Sequence, residues 1–390
     1  MIKDVADWPQ KSLKDDKNLC RVDLCSYLEA HWTDPEFRLS KTCDEDRVPF
    51  AARNSFVHAI SGLKMKLEHN GFKSTTDTED FLLEGNAAAR TRGQIMDYAA
   101  EIQLRGHRTH VFMVFVYRST ARVMRFDRNG ALVSREISLK AQQGRKTFYE
   151  FFYRLGRLSD EQLGLDPTAT MIPGDTKFLH IHNSNWKALE VALNTLKTRF
   201  GDDDPLFTAI DAAFAGDVWP LYELRVPEDA TPGSPDAIER TFLVRNLAAY
   251  SEDPTGRSTK GCIAFDPVSK RFVFLKDYWR PDTTAERAEF EVYKRLVACG
   301  VVRGVASVLC AGDLTFSSNL MSQTTLTDRY YFEKKKGHPL VHTRIVLNEV
   351  GLPLKEYPDS EFLVPIIFHA FQGESLFCTH ASSTFTDSHM

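Results

Sequence analysis

The sequence predicts an α+β protein of two domains: an N-terminal α+β domain, then a five-stranded antiparallel sheet with one helix. Three observations support this fold class. The length of 390 residues is more than one typical domain needs. Three short strands joined by tight turns, between residues 110 and 137, form an antiparallel meander flanked by helical patterns. A stretch rich in Pro, Gly and acidic residues, 226–236, separates these elements from a second group of strands.

The composition indicates an intracellular protein, cytoplasmic or nuclear. A net charge of −4 and a pI near 6.3 argue against nucleic acid as the main partner. The first residues lack an apolar signal region, and the sequence has no apolar run long enough to span a bilayer. Seven cysteines, an odd number, suit reduced thiols. Because the spacing of the early Cys and His residues matches no common zinc module, we predict no metal site.

The N-terminal half divides into a polar, irregular arm (1–50) and the α+β domain (51–215). A helix is predicted to begin near Asn54, with Gly71 as its C-terminal cap, because Phe56, Ile60, Leu63 and Leu67 recur at helical spacing. The other predicted elements of this domain are helices at 93–104, 147–158 and 186–200, and strands at 110–117, 121–126 and 131–137.

The second domain is predicted to span residues 216–357, followed by a tail at 358–390. Its strands are expected at 240–246, 261–265, 271–276, 305–310 and 342–347, with one helix at 284–299. Residues 315–340, which include three consecutive lysines, are expected to form an exposed insertion.

Lys276 is the first candidate site residue. It closes an apolar strand, where a lysine either reaches solvent or meets a carboxylate. Glu289 lies on the following helix in line with Val292, Tyr293 and Leu296, so the helix would carry this carboxylate on its buried face. The alternative is an edge-strand lysine and, separately, a glutamate that favours the helix dipole.

A glycine-containing turn precedes that strand. Its pattern is Gly256-x-Ser258-x-x-Gly261-x-Ile263, with serine where a phosphate-binding loop usually has its middle glycine. Glycine allows the backbone N–H groups to approach a phosphate closely. Taken alone, the pattern fits an ordinary β-turn as well.

These motifs resemble the fungal-type protein kinase family. The resemblance covers roughly residues 90 to 355 and rests on R-G-Q-I-M-D-Y-A-A-E-I (92–102), H-R-T-H-V-F (107–112), A-R-V-M-R-F-D-R-N-G-A (121–131), F-L-K-D-Y-W-R (274–280), E-x-E-x-Y-x-R-L (289–296) and V-L-N-E-V-G-L-P-L (346–354). It implies an N-terminal α+β region followed by a protein-kinase-like small lobe.

The family implies ATP with Mg²⁺ and transfer of the γ-phosphoryl group to protein Ser/Thr. Lys276, positioned by Glu289, would hold ATP phosphates under the 256–261 turn. The segment after the last strand would form the hinge, with Leu347 at the back of the pocket and with Asn348 and Val350 offering backbone hydrogen bonds to adenine.

The sequence departs from the family after this hinge. It contains neither H-R-D-x-x-x-x-N nor D-F-G, which carry the catalytic Asp and the Mg²⁺ ligands, and few residues remain for a large lobe. We therefore expect a chain truncated after the hinge, without catalytic or metal-binding residues and at best a weak binder of ATP. The alternatives are an inactive binding or regulatory module, whose exposed small-lobe face a protein partner would cover, and a non-functional fragment.

Overall fold

A computed structural model describes residues 2–4, 61–66, 68–74, 81–173, 176–216, 219–228, 238–251, 253–283, 287–300, 304–330, 338–353, 361, 363–365 and 367–368. The predicted arm and tail lie almost wholly outside the described residues. The chain divides into two compact units: Met1–Ala169 with Ser251–Ser258 and Gln323–Val341, and Thr170–Tyr250 with Thr259–Ser322 and His342–Met390. Each unit is described by itself.

The first unit is a largely antiparallel sheet with two helices. Its elements are β1 (Ile2–Asp4), β2 (Ser61–Lys66), α1 (Asn86–Arg105), β3 (His110–Tyr117), β4 (Thr120–Asp127), β5 (Gly130–Val133), β6 (Ile137–Ser138) and α2 (Gln142–Leu155). The strand order is β1-β5-β4-β3-β2, with β6 beside β4. The predicted meander is confirmed as β3, β4 and β5. The helices predicted at 93–104 and 147–158 are present as α1 and α2, and both begin earlier than predicted.

Strand β3 is buried on both faces of this sheet, which explains its continuous apolar run. Val111, Met113 and Phe115 pack in one cluster with Ile95 and Ile102 of α1. The alternate residues of β3 pack with aromatic and aliphatic side chains of α2 and the chain that follows it. The core of the first unit therefore has two apolar layers, one on each side of β3.

Strand β2 replaces part of a predicted helix. Residues 61–66 pair in parallel with β3, from Ser61 opposite Phe112 to Lys66 opposite Tyr117. The helix prediction is wrong for these residues, because pairing with a buried strand outweighs a local helical spacing of apolar side chains. Residues 54–60 of the predicted helix lie outside the described part of the chain.

The second unit contains a larger sheet. Its elements are β7 (Ala169–Ile172), α3 (Thr176–His182), α4 (Ser184–Phe200), α5 (Pro205–Phe214), β8 (Leu221–Pro227), β9 (Glu239–Val244), β10 (Ala249–Tyr250), β11 (Lys260–Asp266), β12 (Arg271–Pro281), α6 (Glu289–Ala298), β13 (Val308–Asp313) and β14 (Leu340–Leu347). The strand order is β13-β14-β12-β11-β9-β8-β7, with β10 beside β11.

All five predicted strands of the second domain are present, as β9, β11, β12, β13 and β14. The predicted helix is also present, as α6 between β12 and β13. Strands β7, β8 and β10 were not predicted and enlarge the sheet beyond five strands. The sheet is curved enough to bring β13 close to β8, because a Cβ atom on Gly312 would lie 3.0 Å from the Cβ of Pro227.

Helices α4 and α5 pack on the second sheet. Trp186 of α4 and Phe214 of α5 share an apolar cluster with Leu243, Ile263 and Phe265 of β9 and β11. Helices α4 and α5 thus belong to the compact unit of the second sheet, which begins at Thr170, whereas the sequence grouped residues 51–215 in one domain. The chain is thus α+β, with two mostly antiparallel sheets.

Part of the predicted exposed insertion is buried. Gln323, Thr325 and Thr327 have exposures of 0 %, 2 % and 0 %, so the expectation of an exposed segment is wrong for them. The polar character of these residues predicted solvent exposure, but the amide of Gln323 donates to Asp166 at 2.8 Å and the hydroxyl of Thr325 accepts from the N–H group of Leu340 at 2.8 Å. The three lysines at 334–336 lie outside the described residues.

Candidate functional site

Lys276 and Glu289 form an ion pair within the second unit. The Nζ atom of Lys276 lies 2.6 Å from Oε2 of Glu289, and the two side chains are 27 % and 29 % exposed. Strand β12 lies between β14 and β11, so the alternative of an edge-strand lysine is wrong. Glu289 is the first residue of α6, where a carboxylate also interacts favourably with the helix dipole.

The ring of Tyr278 also lies close to Lys276. It lies two residues after Lys276 and so on the same face of β12, and the ammonium group lies 5.0 Å from the centre of its ring. Burial raises the pKa of the Tyr278 hydroxyl, and the charge of Glu289 adds to the effect. The phenol therefore stays neutral and protonated beside the ion pair.

Helix α6 presents the predicted stripe to the protein. Glu289, Val292, Tyr293 and Leu296 are each half-buried. The residues Glu291, Lys294 and Arg295, which lie between them in sequence, are exposed. Phe290 is also buried and packs with Tyr278, although the predicted apolar stripe did not include it. Burial, together with Glu289 and Glu349, raises the pKa of Tyr293. The helix is thus anchored by an aromatic side chain immediately beside the glutamate.

The four residues of the predicted glycine turn fall in different units. Gly256 and Ser258 belong to the first unit, and Gly261 and Ile263 belong to the second. Gly256 has φ of 81° and Ser258 has φ of 40°, both in the left-handed region. The N–H group of Gly256 donates to the carbonyl oxygen of Arg128 at 2.6 Å.

Gly261 and Ile263 have packing roles in β11. Gly261 lies directly opposite Lys276, and Ile263 lies opposite Phe274. A Cβ atom on Gly261 would come within 2.8 Å of the Phe274 ring, so glycine leaves room for that ring. Ile263 is buried in the apolar cluster beneath helices α4 and α5.

The predicted hinge residues follow β14. Leu347 packs partly against the cluster that contains Tyr278 and Phe290. The N–H group of Asn348 donates to the carbonyl oxygen of Ser307 at 2.9 Å, so this donor is already used within the protein. The side chain of Val350 packs against the cluster that contains Ile263. The structure therefore groups Leu347 with the surroundings of Lys276, and Val350 with Ile263.

The opposite face of β12 carries a buried ionic cluster that sequence reasoning missed. Asp277 accepts hydrogen bonds from Nε2 of His342 at 2.7 Å and from Nε of Arg344 at 2.8 Å. The imidazole of His342 stacks on Trp279 with ring centres 4.6 Å apart. Burial alone raises the pKa of Asp277, but His342 and Arg344 outweigh it, so the carboxyl pKa lies well below its usual value.

Among the described residues, no group of three or more His, Cys, Asp or Glu side chains is placed to hold a metal ion. The lysine of the Lys276–Glu289 pair, by contrast, has the charge and the hydrogen-bond donors that a phosphate requires.

Among the residues that the structure describes, no helix combines the length and the apolar character needed to cross a membrane.

A strand lysine paired with a glutamate on the next helix is an arrangement that protein kinases use to hold ATP phosphates. Residues 82–199 match the family model described as fungal protein kinase, so this part of the chain is similar to a fungal-type protein kinase domain. The matched region includes the motifs at 92–102, 107–112 and 121–131 and ends before Lys276. Neither the curated proteins nor the solved structures include a match to the chain.

Proposed function

We propose that the second unit is a kinase-like small lobe that binds ATP through Lys276. The observation that carries the proposal is the ion pair with Glu289, 2.6 Å long, on an interior strand and only partly exposed. The glutamate fixes the position of the ammonium group, and the remaining ammonium hydrogens can donate to phosphate oxygens. The order of the five predicted strands and α6, with the lysine on the third strand, supports this comparison.

The proposal for these residues is binding and not phosphoryl transfer. Transfer to protein Ser/Thr follows from the family alone, since the sequence contains no H-R-D or D-F-G motif. A nucleotide-binding module that acts by regulation or by recruitment is the second candidate function. Two observations favour this function: the Lys276–Glu289 ion pair is formed, and the described residues contain no group of three or more side chains placed to hold a metal ion.

Titration calorimetry with ATP tests the proposal in three proteins. The wild type is compared with Lys276→Met, which keeps the aliphatic stem and removes the charge. Lys294→Met is the matched control, because Lys294 lies on α6 and is exposed. Loss of a charged hydrogen-bonding group should weaken ATP binding roughly tenfold to a hundredfold in Lys276→Met. Equal affinity for ATP in Lys276→Met and the wild type would refute the proposed site.

A further inference from the structure

The outward side of helix α2 in the first unit carries cations and tyrosines. Arg145, Lys146 and Tyr149 are exposed, and Tyr149 is exposed to 63 %. Tyr153 follows Tyr149 by four residues, so these side chains lie on one side of the helix. The other side of α2, with Leu155, packs in an apolar cluster against the sheet. The outward side therefore takes no part in that cluster.

Two further cations extend this side of the helix. Beyond the end of α2, the guanidinium group of Arg157 lies 4.9 Å from the centre of the Tyr153 ring. Before the start of α2, Lys140 is exposed, and its carbonyl oxygen accepts a hydrogen bond of 2.6 Å from Nη1 of Arg145. The name α2 surface is used below for the following residues: Lys140, Arg145, Lys146, Tyr149, Tyr153 and Arg157.

The α2 surface lies in a basic part of an acidic chain. Residues 81–169 contain 14 Lys and Arg against 9 Asp and Glu, a net charge of +5, whereas the whole chain has a net charge of −4. Between residues 137 and 158 the only acidic residue is Glu150, and it pairs with Arg154, outside the α2 surface. The acidic charge of the whole chain thus hides a local surface that attracts anions.

Helix stability does not explain the cations at the start of α2. The first turn of this helix contains no acidic residue. Arg145 and Lys146 lie near the positive end of the helix dipole, where cations are unfavourable. A polyanion bound beside them would offset this repulsion.

The aromatic side chains of the α2 surface indicate which polyanion fits it. Single-stranded nucleic acid offers phosphates to the cations, and its bases stack on exposed aromatic rings such as that of Tyr149. An acidic peptide would use the cations but has no base to stack on the ring. An anionic membrane would need large apolar side chains among the cations, whereas the members of this surface are cations and tyrosines.

We propose that the α2 surface binds single-stranded nucleic acid, with its cations at the phosphates and a base stacked on Tyr149. From Lys146 to Arg157 the surface is about 16 Å long at the rise of a helix, which suits a site of about 4 nucleotides. The proposal concerns the first unit alone and does not depend on ATP binding by Lys276.

Fluorescence anisotropy of labelled oligo(U) and oligo(dT) tests the proposal with the full chain. Tyr149→Ala should weaken binding roughly fivefold to a hundredfold, because one stacked base is lost. Tyr149→Phe keeps the ring and should retain the wild-type affinity. Tyr250→Ala is the matched control at another exposed tyrosine and should also bind as the wild type does.

Salt dependence tests the contribution of the cations. In Lys146→Gln the slope of log affinity against log salt concentration should be shallower by about 0.7, because one phosphate contact to a single strand is lost. Lys187→Gln, at an exposed lysine of α4, should keep the wild-type slope.

Three results would overturn the proposal. They are no saturable binding of either oligonucleotide at low salt, equal affinity in Tyr149→Ala and the wild type, and equally tight binding of a polyglutamate peptide of the same charge. The last two would assign the α2 surface to acidic protein segments instead.

Discussion

Lys276 and Asp277 are neighbours in β12, yet they lie in opposite environments. Lys276 and its partner Glu289 are 27 % and 29 % exposed, whereas Asp277 and its partner Arg344 are 4 % and 0 % exposed. Successive residues of a strand point to opposite faces, so the two ionic groups lie on opposite faces of β12 although the residues are adjacent in sequence. The same strand therefore carries one ion pair that is partly exposed to solvent and one that is buried within the protein.

The difference in burial gives the two ion pairs different roles. Removal of one partner from a buried pair leaves an uncompensated charge in the protein and costs several kcal/mol. A partly exposed pair can exchange its partner for water at little cost. We infer that the Asp277 cluster stabilises the curved sheet, while the Lys276 pair contributes little to stability and is available for binding.

The largest effect is expected for Asp277→Asn. This variant leaves Arg344 buried without its carboxylate, so the free energy of unfolding should fall by about 3 to 5 kcal/mol. Urea denaturation followed by tryptophan fluorescence measures the change. Glu289→Gln, in the exposed pair, is the control and should lose less than about 1 kcal/mol. Similar losses in the two variants would remove the distinction between the pairs.

The stability should also depend on pH through Asp277. Because its pKa is lower in the folded than in the unfolded protein, the ionised carboxylate stabilises the fold above the unfolded value of about 4. This contribution is lost as the pH falls through the folded-state pKa. The difference in unfolding free energy between the wild type and Asp277→Asn should therefore shrink in urea titrations from about pH 5 towards about pH 2, because the unfolded-state carboxyl begins to bind protons near pH 4. A difference that stays constant over this range would contradict the assignment.

An intermediate effect is expected for Gly261→Ala. The added methyl group would come within 2.8 Å of the Phe274 ring, so we expect a loss of about 1 to 3 kcal/mol in unfolding free energy. Gly93→Ala is the control: Gly93 lies within helix α1, its Cβ would meet nothing within 4 Å, and alanine there should add about 0.5 to 1 kcal/mol. If Gly261→Ala weakens ATP binding but leaves thermal stability intact, Gly261 serves phosphate approach and not packing.

The smallest effect on stability is expected for Lys276→Met. Loss of the partly exposed pair with Glu289 should change the unfolding free energy by less than about 1 kcal/mol. The apolar stem of methionine can still contact Tyr278, which compensates in part for the lost charge. Thermal denaturation without nucleotide measures this change. A loss as large as that of Asp277→Asn would show that Lys276 is structural.

The sequence predicted the parts of the site that depend on local periodicity. Glu289 could be assigned to the half-buried face of α6 because Val292, Tyr293 and Leu296 repeat at helical spacing, and the ion pair with Lys276 followed. Tyr278 could have been added, since it lies two residues from Lys276 and therefore on the same face of the strand.

Long-range partners could not be predicted in this way. Asp277 meets Arg344 across two strands that are distant in sequence, and no local pattern marks that pairing. The contact of Gly256 with Arg128 is similar, because it depends on which loop reaches the turn after β4. Strand β8 was missed because the predicted linker at 226–236 overlaps its end.

The proposed role of Glu289 is to position Lys276 for ATP phosphates, and a double-mutant cycle in ATP affinity tests this role most directly. Calorimetry would compare the wild type, Lys276→Met, Glu289→Gln and the double variant. We expect each single variant to weaken ATP binding and the double variant to be no weaker than Lys276→Met, because the two residues act as one unit. Additive losses, or an unchanged affinity in Glu289→Gln, would contradict the claim.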